Sequence, residues 1–261
     1  MKGIILAGGL GRRLGPLTEV TNKHLLPVWD RPMVFYPLRA LWEAGIDDVM
    51  IVTGGPHAGD FVRLLGDGRE FGFRQLSYTY QEGQGGIAAA LALTEEFCAG
   101  GKICVVLGDN VFNASLRTSC HRFAEGGSGA QILLKRLADP ARFGVAEFKG
   151  HTLTRIIEKP KNPPSPYAVI GIYFFDSSVF EIIRGLRPSA RGELEIADVI
   201  NAYLKRGTLA HAIQPGWWSD AGTPESLHRA ATLAGKTWFL PGAKSRFGKP
   251  FDQWVASRQR R

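Results

Sequence analysis

Short runs of hydrophobic residues alternate with amphipathic stretches along the first half of the chain. The apolar runs cover residues 3–7, 49–53, 76–80 and 103–107. Each run has the length and composition of a buried parallel strand. Between the strands, residues 32–44 and 87–97 repeat apolar positions at helical spacing. This alternation predicts an α/β fold with a doubly wound, mostly parallel, Rossmann-like sheet.

The pattern is more mixed in the second half of the chain. Further strands, some of them antiparallel, are predicted at residues 130–135, 144–148, 154–157 and 169–175. Helices are predicted at residues 178–184, 194–205 and 224–234. The proline-rich segment 159–166 is incompatible with regular structure and is expected to be a rigid loop. Because no repeat or long linker interrupts the pattern, we expect one domain.

A glycine-rich segment, Gly8-Gly9-Leu10-Gly11-Arg12-Arg13, directly follows the first predicted strand. Glycine allows backbone N–H groups to approach an anion closely, and arginine binds phosphate oxygens through two parallel hydrogen bonds. A single tight turn would not require glycine at three of these positions. The segment therefore predicts a ligand that carries phosphate.

The better-known phosphate loops do not fit this segment. A dinucleotide fingerprint requires a third glycine where Leu14 stands, and an acidic residue after the second strand, where Gly54 and Gly55 follow instead. A P-loop requires a lysine after its last glycine, which the segment lacks. The segment therefore gives only weak support to an NAD-dependent oxidoreductase.

Two aspartates are candidate metal ligands. Asp109 follows the strand predicted at 103–107, at the end where a phosphate-bound Mg²⁺ would lie. An Asx turn or a helix cap explains Asp109 equally well from the local pattern alone. Asp220 lies in a second loop, and the sequence does not decide whether the two carboxylates meet.

Charge and cysteine content narrow the setting of this 261-residue chain. Its net charge of +8 suits acidic ligands, but no nucleic-acid-binding motif accompanies the basic residues, so we expect no nucleic-acid partner. The three cysteines lack metal-ligand spacing and indicate a reducing compartment. The first apolar run is too short for a signal peptide or a membrane span. We therefore expect a cytoplasmic protein that does not contact a membrane.

Five motifs follow one another along the chain: GIILAGGLGRRL at 3–14, KHLLP at 23–27, LGDN at 107–110, EKP at 158–160 and SARGELEI at 189–196. Together they resemble the motifs of the sugar-1-phosphate nucleotidyltransferases, most closely the glucose-1-phosphate thymidylyltransferases in a short form. The resemblance implies transfer of a nucleotidyl group from a nucleoside triphosphate, dTTP being favoured, to a sugar 1-phosphate, glucose 1-phosphate being favoured. The alternatives are the same chemistry with UTP or on another sugar or cyclitol phosphate and, less favoured, a non-catalytic nucleotide-binding regulator.

The resemblance also implies a role for particular residues and Mg²⁺ as the cofactor. The implied nucleotide-binding residues are Leu6, Gly8, Gly9, Gly11, Arg13, Gln81, Gly86 and Asp109. The implied sugar-phosphate-binding residues are Gly144, Glu158, Lys159, Val169, Gly171 and Arg191. The implied catalytic residues are Arg13, Lys23, Lys159 and Asp109, and the implied metal ligands are Asp109 and Asp220. Within this scheme Glu158 binds sugar hydroxyls, while Lys159 and Arg191 bind the sugar phosphate.

The same resemblance divides the domain, residues 1–235, into a nucleotide half at about 1–127 and a sugar-phosphate half at about 128–235. The second half is expected to form an antiparallel, sugar-binding extension of the sheet. A homo-oligomer is also implied.

The sequence departs from the family pattern at two positions. Arg12 stands where the family usually has threonine or serine, and Phe143 stands where it usually has tyrosine. Residues 236–261 form a basic tail that does not resemble the C-terminal helices of longer members, so the resemblance does not extend to their feedback control.

Overall fold

The computed structural model describes residues 1–238, and the predicted basic tail lies almost entirely outside them. The strands are β1 (Lys2–Ala7), β2 (Pro27–Val28), β3 (Arg31–Pro32), β4 (Asp48–Gly54), β5 (Gln75–Gln81), β6 (Ile103–Leu107), β7 (Asn110–Phe112), β8 (Ala130–Arg136), β9 (Gly144–Lys149), β10 (Thr152–Glu158), β11 (Tyr167–Phe175), β12 (Leu209–Ile213) and β13 (Trp218–Asp220). The helices are α1 (Phe35–Glu43), α2 (Ala58–Leu65), α3 (Ile87–Ala92), α4 (Glu95–Cys98), α5 (Arg117–Glu125), α6 (Ser178–Arg184), α7 (Ile196–Lys205) and α8 (Pro224–Trp238). Within this described part, no helix has the length and apolar character needed to cross a membrane.

The chain forms two compact units and passes between them more than once. The glycine-loop unit comprises Lys2–Gly83, Val106–Thr118 and the described chain from Gly216. The mixed-sheet unit comprises Gln84–Val105 and Ser119–Pro215, together with Met1. The predicted halves, in contrast, are defined by their ligands, and that division stays a prediction.

The glycine-loop unit is built on the parallel strands β1, β4 and β5. Ile5 of β1 pairs with Ile51 of β4, which in turn pairs with Tyr78 of β5. Both isoleucines are fully buried, which explains the uninterrupted apolar runs of β1 and β4. The run predicted at 76–80 forms β5, but apart from Leu76 it is partly exposed and includes Ser77 and Thr79. Parallel strands end at one edge of their sheet, so the glycine-rich segment after β1 lies at the same edge as Gln81 at the end of β5.

A second layer of this unit is formed around α8. The strands β7 and β13 pair antiparallel, and α8 packs beside both of them. Its buried Ala230 and Ala234 belong to one hydrophobic cluster with Leu14 and Met33. This packing holds the end of the glycine-rich segment, through Leu14, against the chain that follows β13.

The mixed-sheet unit contains the antiparallel extension expected from the sequence. Strand β11 pairs antiparallel with β8 and β9, and β10 pairs antiparallel with β9. Strand β12 lies parallel to β8 on its other side. The register of β11 against β8 shifts between Val169 and Tyr173. The prediction of a mostly parallel sheet with an antiparallel extension is confirmed.

Several boundaries differ from the predicted ones for local reasons. The helix predicted at 87–97 is divided into α3 and α4, because the Thr94 hydroxyl donates a hydrogen bond to the Leu91 carbonyl, 2.7 Å away, and the backbone leaves helical geometry there. The helix predicted at 32–44 begins at Phe35, since Pro32 belongs to β3. Strand β12 was not predicted, because its partly exposed residues do not form a buried apolar run.

Candidate active site

The glycines of the loop are in close contact with residues that carry other predicted roles. A Cβ atom on Gly8 would lie 2.6 Å from Gln81 Oε1. Gly11 has a φ of +68°, and a Cβ there would lie 2.7 Å from the Lys23 Cβ and 2.9 Å from Thr18 Cγ2. Gly11 is therefore required by conformation and by space, whereas a side chain on Gly8 would displace the end of the Gln81 side chain. The structure brings the loop together with Lys23 and Gln81, as the sequence roles require.

Lys23 and Asp109 form a partly buried ion pair beside this loop. Lys23 Nζ donates to Asp109 Oδ2 at 2.6 Å, and the Asn110 side-chain amide donates to the other carboxylate oxygen at 3.2 Å. Burial alone would raise the pKa of Asp109, but the Lys23 ammonium outweighs it and lowers the pKa to about 2. Asp109 is therefore an ionised carboxylate throughout the physiological range.

Asp220 lies next to Asp109 because of strand pairing. In the β7–β13 ladder Asp220 is opposite Asn110, and the Ala221 N–H donates to the Asp109 carbonyl at 2.9 Å. Gly222 marks the point where the charged groups converge. A Cβ atom on Gly222 would lie 3.3 Å from Arg13 Nη2, 3.5 Å from Asp220 Oδ2 and 3.7 Å from Asp109 Oδ2. The two carboxylates and an arginine thus surround one small space.

This donor set suits a metal ion that is shared with a phosphate ligand. Mg²⁺ is usually bound by one or two carboxylates, with waters and substrate phosphates completing its octahedral shell. Asp109 and Asp220 supply such a pair. No group of three or more His, Cys, Asp or Glu side chains suited to a metal occurs within residues 1–238. The residues therefore fit a divalent metal that substrate phosphates also bind.

His24 follows Lys23 in the chain and is buried, with 1% of its surface exposed. Its Nδ1 lies 2.7 Å from Asn22 Oδ1, and its ring packs so closely on Gly108 that a Cβ there would be 2.7 Å from His24 Cδ2. Burial, with a further contribution from the Lys23 charge, lowers the pKa of His24 to about 3. His24 is therefore a neutral packing residue at physiological pH.

A second cluster of charged residues lies in the mixed-sheet unit, where β10 ends. Lys159 Nζ lies 3.6 Å from Glu158 Oε1, and Arg191 Nη2 lies 3.5 Å from the same oxygen. Burial raises the pKa of Glu158, although the neighbouring cations oppose this shift. Lys159 has a φ of +45°, in the left-handed region that side chains other than glycine rarely adopt, and such strain is frequent at functional sites.

Small and apolar residues adjoin Glu158 as predicted. A Cβ atom on Gly144 would lie 3.4 Å from Glu158 Oε2 and 3.8 Å from the Val169 Cβ. Gly171 is buried in the irregular stretch of β11, two residues beyond Val169. The structure therefore groups three of these predicted residues and leaves the role of Gly171 a prediction.

The remaining predicted residues each have a defined place. Leu6 is at the end of β1, where its carbonyl accepts a hydrogen bond from the Gly108 N–H at 2.9 Å. Gly86 belongs to the mixed-sheet unit and has a φ of +93°, and a Cβ on it would lie 2.7 Å from the Leu194 carbonyl oxygen. Gly86 is therefore needed for the close approach of two loops, whatever it binds.

Sequence reasoning missed Gly222 and Glu195. Gly222 follows Asp220 in the same loop, and only the structure shows that its missing side chain makes room for the charged groups. Glu195 accepts hydrogen bonds from Arg191, and the spacing of four residues between them in the SARGELEI motif is the signal that could have indicated the pair.

Comparisons with known proteins identify relatives of this chain. The sequence pattern of a family described as Nucleotidyl transferase matches residues 2–236. A glucose-1-phosphate thymidylyltransferase of Neisseria gonorrhoeae is 46% identical over 237 residues, which cover 89% of this chain and 82% of the relative.

Two solved structures are also similar to this chain. A crystal structure of a Bacillus anthracis protein, provisionally assigned as a glucose-1-phosphate thymidylyltransferase and complexed with a sucrose, is 50% identical with a TM-score of 0.88. The match covers 97% of this chain and 99% of that one. A UDP-glucose pyrophosphorylase bound to UDP-glucose has a TM-score of 0.81 at 23% identity, covering 90% of this chain and 98% of that one, and it supports the fold alone.

Proposed function

Since the chain belongs to the nucleotidyl transferase family and is therefore an enzyme of nucleotidyl transfer, we propose that it transfers a thymidylyl group from dTTP to glucose 1-phosphate. The products would be dTDP-glucose and pyrophosphate. The relatives named for this reaction support the choice of substrates. The observation that carries the proposal is the convergence of Arg13, Asp109 and Asp220 around Gly222, at the end of the glycine loop.

The glycine-loop unit would bind the triphosphate. The N–H groups of Gly8, Gly9 and Gly11 can approach its oxygens, and Arg13 and Lys23 add positive charge beside them. The Gln81 side-chain amide, which packs over Gly8, would hydrogen-bond the base. The role of the Gly86 backbone stays one that the resemblance implies.

Enzymes of this family generally use a divalent metal, and we assign Mg²⁺ to Asp109 and Asp220. When bound, Mg²⁺ would supply positive charge to the phosphate oxygens. The residues themselves prepare this site, because Lys23 keeps Asp109 ionised although it is largely buried. The Asn110 amide fixes the second carboxylate oxygen and thereby the orientation of the group.

The mixed-sheet unit would bind the sugar 1-phosphate. Lys159 and Arg191 would hold its phosphate through charge-assisted hydrogen bonds, and Glu158 would accept hydrogen bonds from sugar hydroxyls. A Cβ on Gly144 would lie 3.4 Å from Glu158 Oε2, so glycine there leaves room beside the carboxylate, and Val169 would line the pocket. Gly171 would line the same pocket.

The reaction needs no general base from the protein. An oxygen of the sugar phosphate, whose second pKa is about 6, is already ionised at neutral pH and attacks the α-phosphorus in line. The bond from the α-phosphorus to the bridging oxygen breaks, and pyrophosphate leaves with that electron pair. Arg13 and Lys23 offset the charge that develops on the leaving group, so catalysis rests on positioning and electrostatics.

A pyrophosphate-release assay with a panel of nucleoside triphosphates and sugar 1-phosphates tests the proposal. We expect dTTP with glucose 1-phosphate to give the highest kcat/KM, EDTA to abolish turnover, and Asp109→Asn to lower kcat/KM severely. Asp139→Asn, in an exposed loop of the mixed-sheet unit, is the control for loss of one carboxylate. A clear preference for UTP or another sugar would refute the substrate assignment, and full activity in excess EDTA would refute the metal assignment.

The setting expected from the sequence is also part of the proposal. Three buried thiols, Cys98, Cys104 and Cys120, support a reducing environment such as the cytoplasm. The homo-oligomer implied by the resemblance stays a prediction. Mass measurement in solution by light scattering tests it, and a monomeric mass over the working concentration range would contradict it.

A further inference from the structure

Arg191 is held by the carboxylate of a residue four positions further along the chain, Glu195. Its Nε donates to Glu195 Oε1 at 3.1 Å, and its Nη2 donates to Glu195 Oε2 at 2.7 Å. This two-pronged arrangement is the strongest geometry available to an arginine and a carboxylate. It uses one edge of the guanidinium group, and Nη1 makes no hydrogen bond to any residue among 1–238.

Glu195 is itself fixed in place. Its side chain is 10% exposed, and its Oε1 accepts a further hydrogen bond from the Ser189 hydroxyl at 2.6 Å. It immediately precedes α7, so its backbone is anchored to a helix. Burial opposes ionisation of Glu195, but the hydrogen bonds from Ser189 and Arg191 outweigh it and lower its pKa. Glu195 is therefore a rigid, charged acceptor.

The loop that carries Arg191 is also ordered by short hydrogen bonds. The Ser189 N–H donates to the Glu193 carbonyl at 2.9 Å, and the Gly192 N–H donates to the Ser189 carbonyl at 2.8 Å. Gly192 has a φ of +74°, which allows this tight turn. Both ends of the Arg191–Glu195 pair are thus held by the backbone, so the side-chain bridge fixes the direction of the guanidinium group.

Two other carboxylates approach the same guanidinium group without this geometry. Glu158 and Glu193 each lie 3.5 Å from Arg191 Nη2, and neither makes a hydrogen bond to it. Their effect on Arg191 is therefore electrostatic and not directional. This difference makes Glu193 a natural reference for Glu195, because both carboxylates are on the same loop and face the same nitrogen.

We propose that Glu195 is a positioning residue, which holds the Nε–Nη2 edge of Arg191 so that Nη1 is presented to the phosphate of the sugar 1-phosphate. The inference rests on the proposed function, which makes Arg191 a phosphate ligand. An arginine oriented before binding loses less side-chain freedom when the phosphate arrives. Ser189 supports the arrangement by fixing the oxygen that Nε contacts.

The test is a double-mutant cycle on kcat/KM for glucose 1-phosphate. Glu195→Gln keeps the shape of the side chain but places an amide N–H₂ against an arginine N–H, so the two-pronged bridge is lost. We expect KM for glucose 1-phosphate to rise roughly tenfold, as for other groups that orient a binding residue, while KM for dTTP stays within about threefold. Glu193→Gln removes the same charge without a hydrogen bond and should change KM for glucose 1-phosphate much less.

The cycle separates positioning from a general structural effect. In an Arg191→Ala background, Glu195→Gln should have almost no further effect on kcat/KM, because there is no guanidinium group left to orient. Equal effects of Glu195→Gln in both backgrounds, or a matching rise in KM for dTTP, would overturn the inference. If Arg191→Ala alone left KM for glucose 1-phosphate unchanged, the assignment of Arg191 in the proposed function would itself be wrong, and the inference with it.

Discussion

Acidification below pH 6.5 should destabilise this protein through His24. His24 is fully enclosed, and burial lowers its pKa from 6.5 to about 3. In the unfolded chain the same imidazole titrates near its ordinary pKa of about 6.5. The unfolded chain therefore binds a proton before the folded protein does. The stability conferred by neutral His24 is complete above pH 6.5 and is lost as the pH falls towards 3.

The size of this effect follows from the shift in pKa. Between the two pKa values, each pH unit lowers the free energy of unfolding by about 1.4 kcal/mol. Moving from about pH 7.5 to about pH 5 should therefore cost about 2 kcal/mol from His24 alone. Such a loss is a considerable part of the stability of an ordinary domain, which is about 5–15 kcal/mol.

Urea unfolding at about pH 7.5 and about pH 5 measures the contribution of His24 to the free energy of unfolding. EDTA is included so that no metal occupies Asp109. The variants are His24→Gln and, as the control, His228→Gln on the exposed side of α8. The wild-type protein and the control should lose about 2 kcal/mol more between the two pH values than His24→Gln does. Comparing differences between pH values removes any change in packing caused by the substitution. An equal loss in His24→Gln and the wild type would refute the reasoning.

Further predictions concern the charged residues of the two units. Arg13→Ala should lower kcat by roughly 10²–10³, as for other lost electrostatic donors, whereas Arg12→Thr should stay active in the same assay. The reverse result would mean that the loop roles are exchanged. Lys159→Ala should raise KM for every sugar 1-phosphate, but Glu158→Gln should affect sugars selectively, which kinetics on several sugars would show. Lys159 has a φ of +45°, a strained conformation for any residue with a Cβ. In urea unfolding, the free energy of unfolding of Lys159→Gly should therefore be about 1 kcal/mol higher than that of Lys159→Ala. An equal or lower free energy for Lys159→Gly would contradict backbone strain at this position.

The sequence predicted β1 and β4 because both strands are buried on both faces. Ile5 and Ile51 are examples, since each is in an uninterrupted apolar run and each is fully buried. Strands that are very short or partly exposed carry no such pattern. The strands β7 and β13 have only three residues each, and β12 is half exposed. Their pairing depends on contacts between distant parts of the chain, which hydrophobic periodicity does not encode.

The candidate metal site depends on one of these unpredictable pairings. Asp109 alone is equally well explained as a turn residue, and Asp220 alone is one acidic residue in a loop. The β7–β13 ladder brings them together, and Trp218 reinforces it by donating from Nε1 to Asn110 Oδ1 at 2.6 Å. The resemblance to a family suggested both residues, but only the pairing provides a physical reason for them to act together.

The glycine loop shows that a correct expectation can rest on an incomplete reason. Its glycines were interpreted as openings through which backbone N–H groups reach phosphate. The structure adds a cause that requires no ligand, because side chains on Gly8 and Gly11 would collide with Gln81 and Lys23. Glycine content by itself is therefore weak support for a phosphate site. The stronger support is that Gln81 and Lys23, which adjoin these glycines, are residues that the proposed mechanism uses. Lys23 pairs with Asp109 at 2.6 Å, and Gln81 would bind the base.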